Sequence, residues 1–212
     1  MNAMSTQKRR YELKARAETQ QLTRERIAAA AASLHEEVGV ARTTVADIAR
    51  RAGVQRLTVY NHFPDLETLL PACTAHWMAE HPLPDLGSAL ALEDPVDRLR
   101  AALTALYGWY RENASMQQRM RGERATVPEL DAWMAQSSDL TLAELATALA
   151  AGFERPHARA LVALALDFWT WRRLDAEGLD DEAAALMAAA VACAPAARSR
   201  TRRRARASRA GR

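Results

Sequence analysis

The chain has 212 residues, a formal net charge of +3 and 49% hydrophobic residues, of which few are aromatic. With only eight glycines and eight prolines, this composition favours a globular and mainly helical protein of one or two domains over a fibrous or disordered one. No apolar run approaches the roughly 20 residues that cross a bilayer, and the first residues lack the apolar core of a signal peptide, so we expect a cytoplasmic protein with no membrane partner.

The N-terminal segment, residues 1–18, is polar and contains five Lys or Arg residues. It is predicted to be a flexible basic arm, which either frays in solvent or reaches the phosphates and minor groove of DNA. Thr23 then gives a capping signal for a first helix. Ile27 and Leu34 mark the buried stripe of that helix, and Gly39 ends it through a left-handed turn.

A helix-turn-helix is predicted over residues 45–64. The stretch from Thr44 to Asp47 has the form of a capping box, in which a hydroxyl caps a helix start and an acid follows three residues later. Gly53 interrupts the helical pattern, a second short helix begins near Gln55, and Pro64 ends it. Two short helices joined at a glycine are typical of the DNA-binding motif whose second helix enters the major groove.

The polar side chains of the second helix carry groups that can read base edges. Arginine can bind guanine through two hydrogen bonds, and glutamine or asparagine can bind adenine in the same way. The predicted base-reading residues are Gln55, Arg56, Thr58 and Asn61. Because a helix N-terminus offers unpaired N–H groups to a phosphate, the predicted phosphate contacts include Thr44 with its neighbours Thr43 and Arg42.

The rest of the chain is predicted to be helical and to form one C-terminal domain, residues 65–197. Its helices are expected at about 65–79, 95–113, 115–124, 128–152, 160–171 and 181–193, with a linker within 81–94. Cys73 and Cys193, the two cysteines of the chain, are interpreted as buried, unpaired residues, since a structural disulfide is rare in the cytoplasm. His35 is interpreted as a partly buried, hydrogen-bonded core residue.

A set of aromatic and methionine residues in this second domain could line an apolar ligand pocket. The set comprises Trp109, Tyr110, Met116, Met120, Trp133, Met134, Phe168 and Trp169. Each of these residues could equally be part of an ordinary core, and both interpretations stay open.

The stretch from Ala160 to Trp171 contains a single charged residue, Asp167. A helix that is apolar all round must be covered all round, so one of its faces is expected to meet a second copy of the protein or, alternatively, to lie in the internal core. The predicted interface residues are Leu161, Leu164, Phe168, Trp171, Leu186 and Met187.

Charge is distributed unevenly along the chain. Residues 1–64 carry a net charge of +5, residues 65–197 carry −10, and the Arg-rich tail, residues 198–212, carries +8. The tail is predicted to be disordered, and it either adds non-specific DNA affinity or only keeps the chain soluble. A basic head on an acidic body directs the attraction of a polyanion such as DNA to the head.

The amino-acid sequence of the N-terminal third resembles that of the TetR family of bacterial transcriptional regulators. The resemblance rests on four elements at fixed offsets. They are a Thr-Arg-Glu-Arg-Ile opening, Gly-x-x-x-Thr-Thr-Val from Gly39, Asp-Ile-Ala-x-x-Ala-Gly-Val from Asp47, and Thr-Val-Tyr-x-His-Phe from Thr58.

The resemblance implies further roles for residues of this chain. Tyr60 and His62 become phosphate contacts that seat the recognition helix, although His62 could instead cap the helix end. Leu66 stands where the family commonly has a phosphate-binding Lys, so that contact is absent and Arg42, Arg56 or the basic arm are candidates to replace it. The last two helices are expected to form a four-helix bundle between two subunits.

The predicted fold is therefore all-α, with an N-terminal three-helix DNA-binding domain over residues 19–64, a C-terminal helical bundle, about nine helices and a homodimer through the last two. The predicted function is a sequence-specific DNA-binding regulator, a repressor released from a palindromic operator by a small apolar or aromatic effector. The alternative is a ligand-independent DNA-binding dimer. Because the chain has no phosphate loop, nucleophile elbow or metal-ligand spacing, we expect no enzyme activity, no cofactor and no metal.

Overall fold

The computed structural model describes residues 3–179 and 182–193, with side chains described from residue 13 onward. Within these residues every regular element is an α-helix, which confirms the predicted all-α class. None of the described helices is both long enough and apolar enough to cross a membrane. The predicted tail, residues 198–212, lies outside the described residues. The helices are α1 (Ala3–Val38), α2 (Val45–Ala52), α3 (Arg56–His62), α4 (Leu66–Glu80), α5 (Gly87–Leu90), α6 (Pro95–Glu112), α7 (Ala114–Glu123), α8 (Pro128–Gln136), α9 (Ser138–Ala150), α10 (Ala158–Leu166), α11 (Phe168–Ala176) and α12 (Ala183–Cys193).

The first helix begins earlier than the sequence predicted. α1 starts at Ala3, so the described part of the predicted arm is helical. Thr23 does not cap a helix, because its hydroxyl donates a hydrogen bond to the carbonyl oxygen of Thr19, 2.9 Å away, inside α1. A threonine can bond to the carbonyl four residues before it within a continuous helix, and this explains why the capping signal at Thr23 was wrong.

The described residues form twelve helices where about nine were predicted. The predicted helix over 128–152 is divided at Ser137, whose hydroxyl bonds to the Trp133 carbonyl oxygen at 2.7 Å. The predicted apolar helix near residue 165 is divided at Asp167, which caps α11 by accepting hydrogen bonds from the amides of Trp169 and Thr170. A carboxylate that accepts the first amides of a helix favours a helix start, which explains the division at Asp167. The Ser137 hydroxyl, like that of Thr23, bonds to the carbonyl four residues before it and does not explain the division there. The third addition, α5, lies in the predicted linker.

The chain divides into two compact units. The first reaches as far as Pro84 and also takes in Trp109–Leu140. The second comprises Asp85–Gly108 and the chain from Thr141 onward. The first unit contains the predicted helix-turn-helix, and the second contains the predicted dimerisation helices.

The core of the first unit is built around α1, which packs against α2, α4 and α7, while α4 also packs against α8. Ile27 and Leu70 are fully buried, and Ile48 of α2 is almost so. Burying such side chains contributes about 1.5–3 kcal/mol each relative to leaving them in water. The buried stripe predicted for the first helix is therefore the surface of α1 on which the other helices of this unit pack.

In the second unit α10, α11 and α12 pack together. Phe168 and Trp171 are buried within the chain, with ring centroids 5.4 Å apart. The Tyr107 hydroxyl donates to the Ala165 carbonyl oxygen at 2.7 Å, so the polar end of this buried ring is satisfied. Alanines of α12, such as Ala188, are also buried, which allows the helices to approach closely.

A buried His–Cys contact joins α1 to α4. His35 is 2% exposed, and its Nδ1 lies 3.6 Å from Sγ of Cys73. Burial lowers the pKa of His35 to about 4 and raises the pKa of the Cys73 thiol to about 12, so both groups are neutral near pH 7. Both cysteines are unpaired, as predicted, but Cys193 is exposed rather than buried. His35 is fully rather than partly buried.

The buried His35 should make the fold sensitive to mild acid. The His35 imidazole takes up a proton near pH 6.5 in the unfolded chain, but only near its pKa of about 4 in the folded chain. The free energy of unfolding that depends on this group is therefore highest above pH 6.5 and falls as the pH drops toward 4. Between about pH 7.5 and about pH 5 the loss should be roughly 2 kcal/mol. His35→Phe should remove this loss, which urea unfolding at the two pH values measures. An equal acid sensitivity in the variant would contradict the assignment.

Candidate nucleic-acid interface

The start of α2 is fixed by the side-chain cap that the sequence predicted. The hydroxyl oxygen of Thr44 accepts a hydrogen bond from the Asp47 amide at 3.2 Å, and the hydroxyl donates to the Asp47 carboxylate, which also pairs with Arg50. These contacts, that of Thr44 first, lower the pKa of Asp47. The cap sets the direction in which α2 leaves the preceding turn.

The turn between α2 and α3 depends on Gly53. This residue has a left-handed conformation, with φ of 64°, and its amide donates to the carbonyl oxygens of Ala49 and Arg50. Arg26 of α1 donates to the carbonyl oxygens of Ala52 and Gly53. The turn is therefore held by the support helix as well as by its own backbone.

Helix α3 is anchored at its C-terminal end. Val59 and Phe63 are buried at 1% and 3% exposure. The guanidinium carbon of Arg24 lies 4.1 Å from the centre of the Phe63 ring, and Nη1 of Arg24 donates to the His62 carbonyl oxygen at 2.8 Å. One arginine of α1 thus holds the end of α3 by a cation–π contact and a hydrogen bond.

The opposite side of α3 is turned to solvent. At 100° per residue, Leu57 and Asn61 point away from the buried pair Val59 and Phe63, and both are exposed. The remaining predicted contacts are exposed or half-buried: Gln55, Arg56 and Tyr60 are exposed, and Thr58 and His62 are half-buried. Gln55 precedes the helix and makes no side-chain cap. Asn61 therefore lies on the outward face and Thr58 at its edge, whereas Gln55 and Arg56 are exposed at the start of the helix.

The basic side chains of α2 and α3 differ in what they contact. Arg51 forms two hydrogen bonds with the carboxylate of Glu37, at 2.6 and 2.7 Å, and this lowers the pKa of Glu37. Arg50 is paired with Asp47. Arg56 is exposed and forms no ion pair or hydrogen bond with the residues whose side chains are described. Its charge is the one of these three that is left for an external anion.

The predicted phosphate contacts before α2 lie in succession on the α1–α2 turn. Arg42 donates from Nε to the Val38 carbonyl oxygen at 2.7 Å, and the Thr43 hydroxyl donates to the Gly39 carbonyl oxygen at 2.7 Å. Thr44 is occupied as the cap of α2. These side chains hold the turn, while Arg42 is exposed and keeps its terminal guanidinium nitrogens for other contacts.

The start of α4 offers little to a phosphate. Leu66 is the first residue of α4 and is half-buried. Asp65 caps the helix by accepting a hydrogen bond from the Thr68 amide at 2.8 Å. A carboxylate at this position repels a phosphate and occupies the N–H groups that would bind it.

A carboxylate from α7 reaches the turn before the helix-turn-helix. Oε2 of Glu123 accepts hydrogen bonds from the amides of Val40 at 2.7 Å and Ala41 at 3.1 Å. Gly39, with φ of 90°, leaves room for this approach, because a Cβ there would overlap the Glu123 carboxylate. Glu123 therefore links α7 directly to the loop that leads into α2.

The predicted pocket residues fall into both compact units. Trp109, Tyr110, Met116, Met120 and Met134 are buried, and Trp133 is half-buried, all in the first unit. There Trp109 packs on Tyr110 and against the edge of Trp77, with ring centroids 5.8 and 6.0 Å apart. In the second unit Phe168 is buried and Trp169 is 44% exposed.

The predicted dimer residues differ in exposure. Leu164 and Leu186 are 53% and 49% exposed, and Leu161 and Met187 are half-buried. Phe168 and Trp171 are buried inside the single chain at 0% and 1% exposure. A side chain covered by its own chain has no surface left for a second copy, so these two residues do not belong to the candidate interface.

No group of three or more His, Cys, Asp or Glu residues in the described part of the chain could hold a metal ion. Two short helices joined at a left-handed glycine, with the second anchored on one side and exposed on the other, are the features of a helix-turn-helix protein.

Comparison with known families agrees with this geometry. Residues 27–73 match the model of the family described as "Bacterial regulatory proteins, tetR family". The similarity to that family thus covers the helix-turn-helix and the helices on either side of it.

Two curated relatives match the same part of the chain. The uncharacterized HTH-type transcriptional regulator Rv2250c of Mycobacterium tuberculosis is 46% identical over 55 residues, which are 26% of this chain and 29% of that protein. The uncharacterized HTH-type transcriptional regulator Mb2274c of Mycobacterium bovis is 50% identical over 52 residues, 24% of this chain and 28% of that protein. The matches thus span less than a third of these relatives, which are described as regulators and not as enzymes. A solved structure, RolR in complex with the ligand resorcinol, is 25% identical and covers 89% of this chain and 94% of that chain, with a TM-score of 0.44.

Sequence reasoning missed the residues that hold the motif in place. Arg24, Arg26 and Glu123 act through tertiary contacts, and a charged residue in a helical pattern is ordinarily interpreted as solvated surface. Leu57 was passed over because leucine in a helix is ordinarily interpreted as core. A helical-wheel comparison with Val59 and Phe63 would have found it.

The Glu123 contact predicts a local effect of removing the carboxylate. In Glu123→Ala the amides of Val40 and Ala41 lose their acceptor, and their hydrogen exchange should become roughly tenfold faster, since a hydrogen bond to a charged group contributes about 1.5 kcal/mol. Glu129→Ala, which removes an exposed acid from α8, should leave both rates unchanged. Equal exchange in wild type and Glu123→Ala would show that the link does not exist in solution.

Proposed function

We propose that this protein is a sequence-specific DNA-binding transcriptional regulator that acts as a repressor, with α3 as its recognition helix. The observation that carries the proposal is the outward face of α3. There Asn61 is exposed beside Leu57, with Arg56 and Tyr60 exposed next to them, while Val59 and Phe63 are buried. A rigid helix that presents amide and guanidinium groups is what readout of the major groove requires.

The charge distribution supports the same orientation. Residues 1–64 are net positive and residues 65–197 are net negative, so the field of the chain attracts DNA to the N-terminal domain and repels it from the rest. Near α3 the charge of Arg56 is not neutralised, unlike those of Arg50 and Arg51. Such a regulator acts where the chromosome lies, in the cytoplasm.

We assign the base contacts to Gln55, Arg56, Thr58 and Asn61, and the phosphate contacts to Arg42, Thr43, Thr44, Tyr60 and His62. Tyr60, 51% exposed, stands beside the outward face and can donate its hydroxyl to a phosphate. Because the hydroxyls of Thr43 and Thr44 are occupied within the turn, their contribution to phosphate binding comes from the backbone and the position of the turn.

The regulator acts as a homodimer on a palindromic operator. The support is the exposed apolar surface of α10 and α12, where Leu164 and Leu186 stand out beside the half-buried Leu161 and Met187. Exposed leucines on packed helices are typical of a surface that another subunit covers. A two-fold pair would present two copies of α3 to two half-sites.

A small apolar or aromatic effector controls the regulator. In the first unit Trp109 packs against Trp77 and Tyr110. The side chains of Met116, Met120 and Met134 are also buried in this unit, and the indole Nε1 of Trp77 is buried without a hydrogen-bond partner. Met116 and Met120 lie on α7, whose last residue, Glu123, contacts the turn before α2. A ligand that shifts α7 would therefore change the support of the DNA-binding helices, provided that it binds the two states with different affinity.

A ligand-independent DNA-binding dimer is the alternative. It is favoured by contacts in which the same side chains serve the fold, such as the hydrogen bond from Trp109 Nε1 to the His81 carbonyl oxygen at 3.2 Å. A panel of aromatic compounds, tested for release of the protein from its selected DNA, separates the two. Release by a member of the panel supports the effector, and release by none of them favours the alternative.

DNA binding is tested by selection from a random duplex library with the purified chain. We expect enrichment of an inverted repeat. Arg56→Ala should relax the preference at one base pair of each half-site by roughly 1–3 kcal/mol, whereas Arg100→Ala, which removes an equal charge from α6, should leave the preference unchanged. No enrichment by the wild type would overturn the proposed function, and an unaltered preference of Arg56→Ala would overturn only the role of Arg56.

The dimer surface is tested by placing a charge on it. Leu164→Glu combined with Leu186→Glu should yield monomers in sedimentation velocity, because two buried carboxylates would face their counterparts across the interface. The matched control is Leu140→Glu, a 55% exposed leucine of α9, which should leave the assembly unchanged. A dimer that persists in the double variant would place the interface elsewhere.

A further inference from the structure

Leu57 is exposed to an unusual degree. Its side chain is 67% exposed, more than any other large hydrophobic side chain in the described part of the chain. A single exposed leucine is ordinary on a protein surface, so the exposure alone decides nothing. Its position decides more, because Leu57 is the second residue of the short helix α3.

Leu57 lies at the centre of the outward face of α3. Val59 and Phe63 define the buried side, and the residues farthest from them around the helix are Leu57 and Asn61, one turn apart. Tyr60 and Thr58 lie at the two edges of this face, and Arg56 lies beyond Tyr60, at the start of the helix. A partner that binds the outward face of α3 therefore contacts the apolar side chain of Leu57 and the amide side chain of Asn61 first.

The surroundings of Leu57 argue against a broad apolar interface. Its neighbours on the outward face are polar or carry a polar end, namely Arg56, Thr58, Tyr60 and Asn61. One apolar side chain in a polar face recognises a small apolar group in a polar surface. In the major groove of DNA that group is the 5-methyl of thymine, which lies among the hydrogen-bonding edges of the bases.

We propose that Leu57 determines operator specificity by packing against the 5-methyl group of a thymine in each half-site. The proposal rests on the proposed DNA-binding function and adds a residue outside the predicted base-reading set. Burial of one methyl group is worth about 0.8 kcal/mol, or about fourfold in affinity. Leu57 therefore selects a base by shape, while Asn61 beside it selects by hydrogen bonds.

The test replaces thymine by deoxyuridine, which removes the methyl group and keeps every hydrogen-bonding atom. The wild-type chain first selects its own site from a random library, and each thymine of that site is then replaced in turn. At one thymine position of each half-site the replacement should weaken wild-type binding about fourfold. In Leu57→Ala the same replacement should have no effect, although the variant still binds the site.

Three comparisons make the result decisive. Leu57→Met keeps an apolar side chain and should retain the sensitivity to the methyl group, and Leu140→Ala, which removes an exposed leucine outside α3, should behave as the wild type. Circular dichroism monitors the folding of each variant. Failure of the wild type to select any DNA would overturn the proposed function itself.

The inference about Leu57 can fail separately. If the wild type selects a site but tolerates deoxyuridine at every thymine, Leu57 does not read a methyl group. If Leu57→Ala keeps the wild-type sensitivity, another residue reads it. Either result overturns the inference and leaves the DNA-binding function standing.

Discussion

The outward position of α3 depends on its packing against α2 and on its attachment to Arg24 of α1. Seven residues are too few to form a stable helix alone, so α3 keeps its direction only through the side chains that hold it. Val59 and Phe63 provide the buried contact, and Arg24 covers the Phe63 ring while it binds the His62 carbonyl oxygen. Because Arg26 also donates hydrogen bonds to the adjoining turn, the candidate DNA surface is held to α1 by two arginines.

Charge is used in two ways in the N-terminal domain. Several charged groups bind to other parts of the chain and so hold helices and turns together. Examples are Arg51, which binds Glu37, and Glu123, which accepts a hydrogen bond from the Val40 amide. Arg56 stands outside these pairs. A count of basic residues therefore overstates the charge available to DNA close to α3, and the local field depends on which pairs form. The long-range attraction, by contrast, depends on the net charge of the whole segment.

The sequence was most informative where a structure is set by neighbouring residues. Thr44 and Gly53 act within a few residues of themselves, and both the cap of α2 and the left-handed turn were predicted correctly. The same reasoning was wrong at Thr23, and it did not predict the helix ends at Ser137 and Asp167. A hydroxyl or carboxylate near helical sequence can cap a helix or bond within it, and the sequence alone does not distinguish these outcomes.

By itself the sequence determined an all-helical protein with a helix-turn-helix near its N-terminus, because helical periodicity, caps and a glycine turn are local properties. Only the tertiary structure decided which charges are paired, that Phe168 is internal while Leu164 is exposed, and that Leu57 faces outward. These properties depend on which helices pack together. Burial and pairing join residues far apart in the chain, such as Val40 and Glu123, and no short pattern encodes such a contact.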